Sequence, residues 1–126
     1  MIATTSMTFV ACQQKSAKDA VEPQKLVEEA IRIHDEIMPQ IAHFDRTTVT
    51  IDSLLLTNID EQQKTDLTTL KSNLENATDN MMTWMKEYNS DSTDVAYQKA
   101  EIEKVKTMKK QFDDVSLESN KKLGAL

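Results

Sequence analysis

The chain of 126 residues holds a single glycine, Gly124, two residues from its end. Tight hairpins, phosphate-cradling loops and dinucleotide fingerprints rely on backbone with positive φ, which glycine adopts without steric cost. Without glycine before position 124, nucleotide-binding α/β folds and most all-β folds are poor solutions for this chain. Helices, which interior glycine weakens, are the solution left. The length suffices to bury one core and stays below the size at which cores divide. One cysteine, Cys12, excludes an internal disulfide framework and a cysteine-based zinc site. The formal net charge of −6 argues against nucleic acid as a partner, because phosphate binding needs a concentrated basic face.

Residues Met1 to Ala11 carry no charge and are small or apolar, ending in Phe9-Val10-Ala11-Cys12. This resembles a bacterial lipobox, in which an apolar residue at −3 and a small residue at −1 precede a cysteine that receives diacylglycerol. Phe9 stands where leucine is usual, and no basic segment precedes the apolar stretch, so residues 1–11 read as the remnant of a lipoprotein signal peptide. Cys12 is then the lipid-attachment residue. Residues 12–22 are polar and lack hydrophobic periodicity, as expected of a disordered, flexible tether. The helical domain is expected over residues 23–126, on the periplasmic side of the cell envelope and held to the membrane by acyl chains. No stretch approaches about 18 consecutive apolar residues, the length a membrane-spanning helix requires.

Pro23 suits a first helical position, with Glu28 and Glu29 near the positive end of the helix dipole. Leu26, Val27, Ala30, Ile31, Ile33, His34, Ile37, Met38, Ile41, Ala42 and Phe44 then recur at helical spacing, and the phase continues to Leu55. One long helix to about Leu56 is expected, kinked at Pro39. The run Thr47-Thr48-Val49-Thr50-Ile51 is its weak point, since β-branched residues lower helix propensity, but a lone strand would have no partner. Asp60 and Gln63 have the spacing of a capping box. After them Leu67, Leu70, Leu74, Ala77, Met81, Trp84 and Tyr88 alternate steps of three and four, a heptad seam. Asn89-Ser90-Asp91-Ser92 is rich in N-cap residues, and Val95, Ile102, Val105, Met108, Phe112, Val115 and Leu123 mark a third helix with Gly124 as its cap. The fold class expected is all-α: an antiparallel up-down-up three-helix bundle with long helices.

Catalytic sets are not evident in this pattern. His34 and His43 are the only histidines, neither with a nucleophile beside it, and Asp35 and Glu36 read as solvated surface. Late in the third helix, lysines interleave with Glu101, Glu103, Asp113 and Asp114 as a mixed-charge face. One constellation stands out. A helical wheel puts His34 in the middle of the first apolar stripe with Met38 one turn on, while His43 points to the wet side. Antiparallel counting about Asn58 places His34 level with about residue 82, near Met81, Met85 and Trp84, and with Tyr97 to Glu101 at the same height. Imidazole and thioethers suit Cu(I), and need no thiolate that an oxidising compartment would convert to disulfide. His34, Met38, Met81 and Met85 are thus candidate metal ligands, with haem a further option. The competing reading is core packing, with methionines as gap-fillers and His34 satisfied by Glu101 or Tyr97.

The segments His34-Asp35-Glu36-Ile37-Met38-Pro39 and Met81-Met82-Thr83-Trp84-Met85 together resemble a group of small bacterial lipoproteins, several of them labelled "viral A-type inclusion protein". The resemblance covers most of the chain after Cys12. It implies an anchored helical protein and supplies no catalytic residue. The function expected is a non-enzymatic binding or structural interaction module with a protein partner in the envelope. The alternative is soft-metal or haem binding through the His/Met layer.

Overall fold

A computed structural model describes the backbone of residues 11–126 and the side chains of residues 21–126. Three helices and no strand occur among the described residues: α1 (Ala11–Leu55), α2 (Glu61–Glu87) and α3 (Val95–Gly124). Residues 1–10, the bulk of the expected signal remnant, lie outside this description, as does the side chain of Cys12.

The expected tether over residues 12–22 takes helical backbone instead, and Pro23 is interior to α1 rather than at its first turn. The physical reason lies in composition. Gln13, Gln14, Lys15, Ala17, Lys18, Ala20 and Glu22 have straight-chain or alanine side chains, which lose little freedom in a helix. Absence of an apolar stripe signals that no face needs burying and leaves helix propensity untouched. α1 also continues through Pro39. The β-branched run is helical too. Hydroxyls of Thr47, Thr48 and Thr50 donate to the carbonyls of His43, Phe44 and Arg46 at 2.8, 2.9 and 3.1 Å, so their polar atoms are answered within α1. Ile51 meanwhile is fully buried.

The α2 terminus forms as its sequence implies. Asp60 accepts from the Gln63 backbone N–H at 2.7 Å while the Gln63 side chain accepts from the Asp60 N–H at 3.1 Å. The N-cap of α3 is Asp94, which accepts from the Tyr97 N–H, so the polar run at residues 89–92 belongs to the preceding turn. At the far end Ala125 takes the C-cap position at φ −85°, and Gly124 is the last helical residue rather than the cap.

All three helices pack on one another around a single core. Leu67, Leu70, Leu74, Ala77, Met81 and Trp84 of the α2 seam are all buried, against Ile33, Ile37, Ile41 and Phe44 of α1 and Ile102, Val105, Met108 and Phe112 of α3. Phe44 and Phe112 stack at 4.9 Å between centroids in mid-core. Partners between α1 and α3 rise together in number: Glu22 with Lys99, Glu29 with Lys106 and Glu36 with Lys109. Partners between α2 and α3 run oppositely: Asn73 with Glu118, Asn80 with Gln111 and Trp84 with Glu101. The ion pairs between α1 and α3 are exposed and therefore weak in water, so they set register more than stability.

Candidate functional site

Chemistry-bearing side chains gather where α2 turns into α3, with one flank supplied by α1. Gln98 is fully buried in the first turns of α3, where a free amide would be costly. Its Nε2 donates to the carbonyls of Asn89 and Ser92 at 3.1 and 2.9 Å, and its Oε1 accepts from the Tyr88 hydroxyl at 2.7 Å. The amide is thereby satisfied on donors and acceptor alike, and it ties the turn to both helices. The Tyr97 hydroxyl accepts from the Asn89 N–H at 2.9 Å. Burial raises the Tyr88 phenol above its ordinary value, with Tyr97 and Glu101 adding to the effect.

Glu101 brings a carboxylate into the core at 5% exposure. Its Oε2 accepts from the Trp84 indole Nε1 at 2.8 Å, and its Oε1 from the Lys104 ammonium at 2.6 Å. That hydrogen bond, with the charge behind it, holds the ammonium of Lys104 above the usual lysine value. Trp84 stacks on Tyr88 at 4.5 Å, and Tyr88 lies parallel to Tyr97 at 6.4 Å. Alongside runs a groove of about 730 Å³ between α2 and α3, lined by Thr83, Trp84, Tyr97, Glu101, Lys104 and Met108 among others.

His34 lies at the edge of this cluster instead of mid-stripe. Ile33 and Ile37 occupy the centre of the buried face, and the His34 side chain keeps 18% of its surface exposed. Its ring centroid is 6.0 Å from that of Trp84, tilted by 33°. Nδ1 is 3.0 Å from Asp35 Oδ1. A carboxylate only accepts, so Nδ1 donates in this contact, and in the neutral imidazole the lone pair falls on Nε2. That Nε2 is buried and has no hydrogen-bond partner, the one such side-chain nitrogen or oxygen among the described residues. Neither expected partner reaches it: Glu101 is engaged by Trp84 and Lys104, and the Tyr97 hydroxyl by Asn89.

The candidate ligands separate by depth. Met81 is fully buried in the core, Met38 is half-buried against it, and Met85 is 42% exposed. The expectation that Met85 shares a buried layer with His34 and Met81 is therefore corrected: the α2 seam passes through Met81 and Trp84, leaving Met85 outside it. His43, Asp35 and Glu36 are exposed as expected. Glu36 is paired with Arg32 at 2.6 Å and Lys109 at 3.2 Å, and the hydrogen bond from Lys109 leads in lowering its carboxyl below the usual range. No group of three or more His, Cys, Asp or Glu side chains suited to a metal ion occurs among the described residues.

Gln98 and Glu101 as buried anchors escaped sequence reasoning. A signal existed, because both fall in phase with Ile102, Val105 and Met108 on the α3 seam. Polar residues on a seam mark hydrogen-bonded positions as well as breaks in it. Compared with known protein families, curated proteins and solved structures, the chain matches none.

Proposed function

We propose that this protein is a non-enzymatic, lipid-anchored bundle of the bacterial envelope that serves as a binding or bracing module for a protein partner. Its helices run up, down and up, with the domain beyond Cys12 facing the periplasm. The observation that carries the reading is the use made of the reactive side chains. Glu101, Lys104, Tyr88, Tyr97 and Gln98 are each engaged in hydrogen bonds that close the end of the bundle. Groups committed in this way give rigidity and leave the outer faces for recognition. Anchoring rests on Phe9-Val10-Ala11-Cys12, and no helix among the described residues is long and apolar enough to cross a membrane. The likeness of His34–Pro39 and Met81–Met85 to small bacterial lipoproteins agrees with this reading.

The test is detergent partitioning of the protein expressed behind a full signal sequence. The parent should enter the detergent phase and Cys12→Ser the aqueous phase; equal recovery of both in the aqueous phase overturns the anchor. A second reading, soft-metal or haem binding through His34, Met38, Met81 and Met85, is favoured by one observation, the unpaired Nε2 of His34.

A further inference from the structure

Within that soft-metal reading, on which this inference rests, we propose that His34 Nε2, Met38 and Met85 form a Cu(I) site on the rim between α1 and α2, with Asp35 as its positioning residue. The argument begins with the imidazole. The hydrogen bond from Nδ1 to Asp35 Oδ1 at 3.0 Å leaves Nε2 as the ligating nitrogen of the neutral imidazole and restrains the ring about its χ angles. A carboxylate behind a histidine, with the distal nitrogen free, is the arrangement that orients metal-bound imidazoles and raises their basicity. A histidine retained for packing alone gains nothing from a buried nitrogen without a partner, since a buried polar atom left unanswered is destabilising.

Donor types decide the metal. Met38 follows His34 by one turn of α1, and Met85 stands two heptads beyond Lys71, which reaches Asp52 of α1 at 2.6 Å, so it falls on the α1 side of α2. One imidazole with two thioethers is a soft, neutral set that suits a monovalent d¹⁰ ion over oxygen-seeking divalent cations. Accessibility decides which thioethers. Met81 is fully buried in the core, and moving its sulfur would open a cavity. Met85 is 42% exposed and Met38 half-buried, so an unbranched side chain can swing to the ion without opening the bundle. The indole face of Trp84 adds attraction for a cation held beside the imidazole.

Anaerobic titration of the full chain with Cu(I) buffered by bicinchoninate tests this, with the fluorescence of Trp84, the single tryptophan, as readout. The parent should show saturable quenching at one Cu(I) per chain. His34→Leu, Met38→Leu and Met85→Leu should each weaken binding at least tenfold with helix content unchanged, and Met81→Leu should leave it intact. Asp35→Asn should weaken it by about 10–100-fold, with Asp35→Glu restoring part of the loss. If Met81→Leu abolishes quenching and Met85→Leu does not, the rim site is overturned while the soft-metal reading stands. If the parent shows no saturable quenching, both fall.

Discussion

Glu101 is the residue whose environment departs furthest from its type, a carboxylate in a helical core answered on both oxygens. The two answers are unequal in kind. Trp84 is buried with it, whereas Lys104 reaches in from a side chain that is mostly exposed. Replacing Glu101 by leucine strands the indole N–H and should cost about 1–3 kcal/mol, with a shift in Trp84 emission. Glu101→Gln keeps an acceptor for the indole and should cost clearly less. Urea unfolding followed by fluorescence separates the two, and equal losses would mean that the ion pair with Lys104 dominates. His34 shows the opposite case at the same scale, a polar atom that is buried and unanswered. Its place was only half legible in the sequence. The wheel put it on the apolar face, but whether it sits at the centre or the edge depends on where α2 and α3 lie around α1.

At the scale of the helix, α2 is the most locally determined element. Its start is closed by Asp60 and Gln63 reciprocally, and Asp60→Ala should cost about 1 kcal/mol, read as a lower urea midpoint with unchanged slope. The α2–α3 pair depends on pH. Burial pushes the Glu118 carboxyl upward, but hydrogen bonds from Lys122 and Asn73 outweigh it, and the group titrates below its ordinary value of 4.5. A carboxyl depressed on folding contributes stability above its unfolded pKa, and that contribution is lost as pH falls through the folded value. Glu118→Gln should therefore be less stable than the parent at pH 7, the difference closing as the solution is acidified past that lowered value. A difference independent of pH would assign the effect to packing. α1 starts at Ala11, earlier than its apolar stripe implies. Its first turns carry helix-forming residues without an amphipathic stripe, and burial patterns are silent about such a segment.

For the whole molecule, one core joins all three helices through the stacked Phe44 and Phe112, both essentially inaccessible. Phe112→Ala should cost about 3–5 kcal/mol, and because no helix buries its apolar face alone, it should lower the midpoints seen by far-ultraviolet dichroism and by Trp84 emission together. Separate midpoints would show that one helix leaves the bundle independently. The sequence by itself determined what is local: three helices, the α2 seam from Leu67 to Trp84, and the capping box. Each of these is encoded within a few residues, by periodicity or by a cap. Only the tertiary structure decided which partners meet. Trp84 claims Glu101 and so leaves His34 to its chain neighbour Asp35, and the heptad-spaced Glu22, Glu29 and Glu36 face lysines of α3. Those pairings depend on the rotation and height of each helix against two others, and a turn of 100° per residue lets a small rotation move a side chain from the core to its edge.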